Sequence, residues 1–411
     1  MLKNKLFLFT ADFPYGTGET FLETEITYLA EGFDEVVIVS QNIHDEQTRQ
    51  VPDNCTFSRI DLSVSNTDKL KSLVGLSDPL FWKEKSIVKK VYAKKLSKGI
   101  VSTMLISLWR AKKVKQYISQ ICEMQTSDSQ VFIYSYWCDD VALGLSLAQK
   151  ENKEIRTFCR IHRWDVYFEE SAVNYLPYRH FITKNISQIF SISQDGIDYA
   201  LKTWKVTQKE KFSLSRLGIK NTYGFQISNN DPFLIVSCSN LIPVKRVHLI
   251  AEALKEIRDV QIKWVHIGDG PERKKLEALI LNLPSNIKVD LLGRIPNSAI
   301  YTFYAEKRPD LFINVSSSEG VPVSIMEAMS FGIPVIATDV GGNREIVNKE
   351  NGRLVPTKIA VPKIADHFRD LILLNPKDKN VLNENAFETW QLLYNADKNY
   401  YSFTSKIQEI K

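Results

Sequence analysis

Short apolar runs alternate with segments whose apolar residues recur every three or four positions, along nearly the whole chain. Leu6–Thr10 is the first run. A glycine loop, PYGTGE, follows it, and then Phe21, Leu22, Ile26, Leu29 and Ala30 fall close to one face of a helix. VVIVS (Val36–Ser40), VFIYSY (Val131–Tyr136) and QIFSIS (Gln188–Ser193) read as further strands of the same sheet. A continuous apolar run such as VVIVS suits a parallel strand covered on both faces. A second series starts near Pro232. It holds FLIVSCS, IKWVHIG, IKVDLLG, LFINVS and PVIATD as strands, with helical patterns from Val247 to Arg258, from Pro271 to Leu281 and after Glu319. Alternating strands and helices imply a parallel sheet with helices on both sides, and two such series imply two Rossmann-like domains. The expected fold is α/β, with the domain break in the polar, turn-rich KNTYGFQISNNDP, Lys220–Pro232. Ligands of open α/β sheets bind beyond the carboxyl ends of the strands, so two such domains facing each other would enclose a cleft. Residues 385–411 are helical in pattern and rich in Tyr, Phe and Trp.

Chemistry concentrates in EGVPVSIMEAMSFGIPVIAT, residues 319–338. Glu319 and Glu327 stand eight apart across a helix start. Gly320 lets backbone approach a ligand closely, Pro322 suits a first helical turn, and Ser324 is placed to cap it. The amides of such a turn attract an anion. A carboxylate beside that anion would be repelled, so the two acids are suited to hydroxyl groups on either side of it. A sugar, a diphosphate and a ribose in series, as in a nucleotide sugar, meet all three demands.

The pattern E-G-x-P-x-S-x-x-E-A-M-x-x-G-x-P-V-I-A-T-D-V-G-G resembles the retaining glycosyltransferases of family 4, which have the GT-B fold and an E-x7-E signature. The resemblance extends to NGRLVP (Asn351–Pro356), CSNLIPVKRVHLIAEAL (Cys238–Leu254), HIGDGPERKKLEAL (His266–Leu279) and LLGRIPN (Leu291–Asn297), about 120 residues in order. PYGTGETFLETEITYLAEGFDEVVIVS and RIHRWDVYFE match more loosely. The opening and the YNADKNYYSF tail are most similar to transferases of colanic-acid, capsule or exopolysaccharide assembly. The resemblance implies an acceptor-binding domain, residues 1–219, joined by a C-terminal helix within 385–411 that crosses back to it. It implies a nucleotide-sugar-binding domain over residues 220–384.

It also implies roles. Glu319 would contact donor-sugar hydroxyls and Glu327 the ribose. Gly320, Val321, Pro322 and Val323 would cradle sugar and phosphate, and Lys245 would hold the diphosphate. Gly268, Asp269 and Gly270 would lie near the nucleotide, Gly293 and Arg294 near the base. Gly16 and Gly18 would lie near the donor phosphates and the acceptor, and His162 near the reacting carbon. Lys245, Glu319 and His162 would be catalytic. Two positions depart from the family pattern. Asn240 stands where an arginine is usual, and Arg246 where glycine is common, so Arg246 is expected to supply the second positive charge on the diphosphate. Arg163 replaces a glycine after His162. Taken singly, each feature has a plainer reading. GDG is a common turn, Lys245-Arg246 a surface charge pair, His162 a structural histidine and Asp165 a helix cap. The competing functions are a GT-B nucleotide-sugar epimerase and a catalytically silent donor-binding subunit.

Composition narrows the partners. The 411 residues are 44% hydrophobic and 25% charged, with a formal net charge of +5, too small to argue for nucleic acid. Cys55, Cys122, Cys138, Cys159 and Cys238 include no CxxC pair, so they read as reduced thiols without zinc. No DxD pattern offers a metal site, so neither metal nor cofactor is expected beyond the donor itself. The opening apolar run is only LFLF and no stretch reaches a membrane span, so the expected location is cytoplasmic. Residues 82–115 carry eleven basic side chains against one acid, Glu84, with apolar residues interleaved at helical spacing. The plain reading is a solvated face over a core helix. The sharper one is docking on the anionic inner face of the cell membrane, as a lipid-linked rather than a free saccharide acceptor would need.

Overall fold

The computed structural model describes residues 3–16, 18–123, 129–225, 227–228 and 230–410. Thr17 of the glycine loop and Gln226 and Asn229 of the expected linker lie outside them. The chain divides into two compact units, residues 1–218 with 396–411, and residues 219–395.

The first unit is built on seven strands: β1 (Lys3–Thr10), β2 (Glu35–Ser40), β3 (Cys55–Arg59), β4 (Ser129–Ser135), β5 (Arg156–Ile161), β6 (Gln188–Ser191) and β7 (Phe212–Leu214). Their order is β3-β2-β1-β4-β5-β6-β7, and every pairing is parallel. Alternate side chains of a strand point to opposite faces. Leu6 and Leu8 accordingly join Val36, Ile38 and Phe132 in one core, closed by Leu22, Ile26 and Leu29 of the helix Leu22–Gly32. Phe7 and Phe9 join Val37, Val39 and Ile133 in another, closed by Val114, Ile118 and Ile121 of the helix Lys98–Glu123.

The second unit has β8 (Phe233–Cys238), β9 (Ile262–Ile267), β10 (Ile287–Gly293), β11 (Leu311–Asn314), β12 (Val335–Thr338) and β13 (Gly352–Val355). Their order is β10-β9-β8-β11-β12-β13, again parallel throughout. Ile235, Trp264 and Ile313 pack against the helices His248–Lys255 and Val361–Ile372.

Four strands were not expected: β3, β5, β7 and β13. The returning segment also starts later than residue 385. Trp390 Nε1 donates to the Ile219 carbonyl at 3.1 Å and Phe387 stacks on Phe225 at 5.2 Å, so residues 385–395 belong to the second unit. The helix Ala396–Glu409 belongs to the first, burying Phe403 and Ile407 in the core with Leu6 and Leu8.

The basic stretch 82–115 does not form one free face. Arg110 pairs with Asp140 at 3.0 Å, Lys112 with Asp78 and Lys115 with Glu151, each at 2.5 Å, and Lys113 donates to the Asp61 carbonyl at 2.6 Å. Ile100, Met104 and Leu105 face the core. No helix among the described residues is long and apolar enough to cross a membrane.

Candidate functional site

The loops at the carboxyl edge of the second sheet converge on Glu319. Ser317, just past β11, donates its N–H to the Val244 carbonyl at 2.8 Å and so draws the loop after β8 alongside. That brings Lys245 Nζ to 2.6 Å from Glu319 Oε1. Asn314, the last residue of β11, donates to the same oxygen at 3.1 Å. Glu319 is buried. From the other side, Gly342 N–H donates to the Gly320 carbonyl at 2.7 Å. Gly341 has φ +50, and a Cβ there would lie 1.9 Å from the Glu319 carbonyl oxygen. Only glycine permits both the left-handed backbone and that approach.

The helix Val323–Ser330 begins directly after this cluster. Pro322 is its N-cap, with no side-chain cap. Ser324 is therefore the second residue of the helix and not its cap, a correction to the expectation. Proline's fixed φ leads into the first turn, and its carbonyl accepts from Ile325 N–H at 3.1 Å. The uncapped turn leaves main-chain donors at the helix start for an anion.

Glu327 sits one turn further in, buried, with the Asn297 side chain as its hydrogen-bond donor. Burial pushes its carboxyl from the ordinary 4.5 up to about 7, and the Asn297 bond opposes this in part. Cys238, at the end of β8, feels the same carboxylate: its thiol is pushed up to about 12, by burial first and by Glu327 next. Tyr304 is fully buried near Glu327, and its hydroxyl has no hydrogen-bond partner among the described residues.

Gly268 and Gly270 let two loops touch. A Cβ at Gly268, where φ is +136, would lie 1.9 Å from the Ser239 carbonyl oxygen, and one at Gly270 would lie 2.5 Å from that of Leu241. These contacts flank Asn240, which is exposed. Gly268 N–H also donates to the Gly293 carbonyl at 2.8 Å, which fixes the turn before Arg294. Asp269 bonds Arg273 at 3.2 Å, and its acidity is raised chiefly by the Gly270 N–H, with Arg273 and Arg294 adding to it.

Arg246 departs from expectation. Its Nε donates to Val315 O at 2.8 Å, Nη1 to Thr357 O at 2.8 Å and Nη2 to Ser316 O at 3.1 Å. The guanidinium is a clamp on main-chain carbonyls just beyond β11 and β13, so it is not presented as a second cation for a diphosphate. Its backbone is left-handed, φ 48, closing the turn Pro243–Lys245, a conformation that glycine adopts without strain.

Gly16, Gly18 and His162 lie in the first unit. Gly16 has φ +58, and a Cβ at Gly18 would lie 2.6 Å from Asp12 Oδ2. The loop's anchor is Glu19, which sequence reasoning missed. Its carboxylate accepts from the N–H groups of Ala11, Asp12 and Phe13 at 2.7–2.9 Å and from Trp137 Nε1 at 2.6 Å. His162 is buried, its ring 4.4 Å from that of Trp137 and 4.7 Å from that of Tyr136. Neither ring nitrogen has a hydrogen-bond partner among the described residues. Asp165 is no helix cap: it accepts from His162 N–H at 2.8 Å and Cys138 N–H at 2.9 Å, tying the ends of β4 and β5 together. A cavity of about 560 Å³ beside them is lined by Gln41, Asp139, Trp164 and Arg179, among others. Burial, with Asp140 adding, pushes Asp139 up to about 7.

The second unit's cluster now stands as an acid–lysine pair, a second buried acid and an uncapped helix start, all at one sheet edge. Residues 221–389 match the family model for glycosyl transferases group 1. The matched region contains Lys245, Glu319 and Glu327. The chain is 26% identical over 259 residues to the UDP-N-acetylglucosamine–peptide N-acetylglucosaminyltransferase GtfA subunit of Streptococcus agalactiae, a match covering 58% of this chain and 49% of that protein. It is 29% identical over 161 residues to "Putative colanic acid biosynthesis glycosyltransferase WcaL" of Escherichia coli, covering 36% of this chain and 39% of the relative. The chain thus spans half or less of the length of these curated relatives. The crystal structure of Anabaena Alr3699/HepE in complex with UDP and glucose superposes over the full length of both chains, with a TM-score of 0.65 at 15% identity. That likeness shows the fold, two Rossmann-like units with parallel sheets.

Proposed function

We propose that this protein is a retaining, metal-independent glycosyltransferase of the family 4 type. It moves a sugar from a nucleotide-sugar donor to a saccharide or lipid-linked acceptor hydroxyl in surface polysaccharide assembly. The observation that carries this reading is the Lys245–Glu319 pair, 2.6 Å apart, beside the uncapped start of the helix Val323–Ser330. Lys245 and the helix amides bind the diphosphate, Glu319 the sugar hydroxyls and Glu327 the ribose.

In the reaction the bond from the anomeric carbon to the diphosphate oxygen breaks, and its electron pair leaves with the diphosphate. The acceptor oxygen bonds to that carbon from the same face. Its proton passes to the departing phosphate oxygen, so Glu319 need not be a nucleophile. Charge develops on the leaving group, where a fixed cation and fixed amides act most strongly. His162, buried with its Nδ1 3.9 Å from Asp165 Oδ2, supports a role near the reacting carbon, and the cavity beside Asp139 and Trp164 supports acceptor binding by the first unit. A lipid-linked acceptor places the work at the inner face of the cell membrane. The relatives are named as transferases, and no observation favours an epimerase.

The test is thermal stability against UDP-, GDP-, ADP- and dTDP-sugars, with wild type and Glu327→Ala side by side. UDP comes first, because similar proteins are described with it. A donor at 100 times its Kd adds ~2.7 kcal/mol. A shift with one base, reduced in Glu327→Ala, is expected. No shift with any donor would overturn the reading.

A further inference from the structure

Fifteen large hydrophobic side chains are exposed among the described residues, and five of them fall within thirteen positions: Leu70, Leu73, Val74, Leu76 and Trp82. Leu70 is 68% exposed, Val74 70% and Trp82 51%. Scattered apolar residues need no explanation, but a contiguous group marks a docking surface. These five are contiguous. Leu70 lies on the helix Asn66–Ser72, which runs straight into the 3-10 turn Leu73–Ser77. Trp82 Nε1 donates to the Leu76 carbonyl at 2.7 Å, holding the indole beside that turn.

The turn is folded with its glycine inside. Gly75 is buried, and a Cβ there would lie 3.0 Å from Leu105 Cδ2, while Leu73, Val74 and Leu76 on either side point outward. Water alone would favour the reverse arrangement.

Charge identifies the occupant. Residues 66–95 hold eight lysines and three acids, an excess equal to the net charge of the whole chain, so the remainder is balanced. The three acids are engaged: Asp68 in a capping box, Asp78 with Lys112 at 2.5 Å, and Glu84 buried against Tyr175 and the Tyr178 N–H. Lys83, Lys89, Lys90 and Lys95 are exposed on or just after the helix Pro79–Lys90, which also carries Trp82. Beside the same helix opens a cavity of about 380 Å³, whose lining includes Lys83, Lys150, Lys184 and Lys205. An apolar wedge with a tryptophan, rimmed by lysines, matches a bilayer with anionic headgroups, apolar side chains entering the acyl boundary and lysines meeting phosphates.

We propose that the face built from Leu70–Leu76, Trp82 and Lys83–Lys95 docks this protein on an anionic membrane. The face is centred upstream of the basic stretch 82–115, whose later cations are already paired. The inference stands apart from the transferase reading, because its readout is vesicle binding and not activity.

The experiment is co-sedimentation of the full chain with vesicles of equal parts phosphatidylglycerol and phosphatidylcholine, or phosphatidylcholine alone, at low salt. Wild type is expected to pellet with the anionic vesicles and to be released by salt. A lysine at an anionic surface is worth about a five-fold gain in partitioning, so Lys89→Glu/Lys90→Glu is expected to lower it by more than about 25-fold. Leu73→Ser/Val74→Ser is expected to lower it at every salt concentration. Both variants are checked by circular dichroism for an unchanged fold. Absence of binding to anionic vesicles overturns the proposal, as does equal binding by either folded variant. So does sedimentation analysis in which wild type is a dimer that Leu73→Ser/Val74→Ser splits, since the patch would then join two copies.

Discussion

Glu327→Gln is expected to make the ligand-free protein more stable at high pH and unchanged at low pH. Burial lifts the Glu327 carboxyl from 4.5 to about 7, so the folded state holds this proton more tightly than the unfolded state. Stability is therefore lost as pH rises from 4.5, and the loss is complete above about pH 7. At 1.36 kcal/mol per tenfold change in proton affinity, the cost of the buried charge is about 3 kcal/mol. Glutamine has nearly the same shape, keeps an acceptor for the Asn297 amide and carries no charge. Urea unfolding at about pH 5 and about pH 8 tests this, fitted with two transitions because the chain has two compact units. The variant should gain about 3 kcal/mol in one transition at the higher pH and little at the lower. It should also bind the donor more weakly, because a carboxylate accepts stronger hydrogen bonds from ribose hydroxyls. A variant less stable than wild type at high pH, or a difference independent of pH, would show that the cost of burying this charge is not what separates the two proteins.

Other substitutions probe the remaining contacts. Lys245→Ala should lower kcat by 10²–10³-fold, the loss of one donor to a developing anion, and should also lower the melting temperature, because it strips the buried Glu319 carboxylate of its cation; steady-state kinetics with the donor found above decides it. Chelation with EDTA should leave that rate unchanged, and a loss restored by added magnesium or manganese would refute the metal-independent mechanism. Gly341→Ala puts a Cβ 1.9 Å from the Glu319 carbonyl oxygen, so it should cost about 1–3 kcal/mol and weaken donor binding, read by urea unfolding and donor titration. Glu25→Ala strands the fully buried Arg160 beside Phe403 and should cost about 3–5 kcal/mol in the first unit's transition; a cost below 1 kcal/mol would mean that water reaches the guanidinium.

Arg160 also explains one strand that the sequence concealed. β5 reads RTFCRI, and its two arginines interrupt the apolar pattern that marks a buried parallel strand. Arg160 is buried all the same, because Glu25 arrives from the helix Leu22–Gly32 to pair with it, far away along the chain. β3 was missed because it is an edge strand, with most of CTFSR exposed or half-exposed. β7 has only three residues, too few for periodicity to register, and β13, GRLV, opens on Gly352 and Arg353, which break the apolar run. The cluster around Glu319 was easier to read. Its acids, glycines and prolines sit at fixed spacing around one loop and helix, and local geometry follows from local sequence. Asn314, Asn297, Glu19 and Asp139 gave no such signal. Each is an ordinary polar residue until the fold sets it beside its partners.

The alternation of apolar runs and helical periodicity determined two parallel sheets, since each run must bury both faces and each helix only one. The spacing around Glu319 and Glu327 determined where an anion flanked by hydroxyls would fit. Tertiary structure alone decided which charges are free to act. Lys245 meets Glu319 across 74 residues of chain, while its neighbour Arg246 is spent on three carbonyls. It also decided that the later lysines of the basic stretch are paired and that the leucines before it are left in water. A residue's type is written in the chain, but its partners are set by which strands and loops the folded sheets bring together.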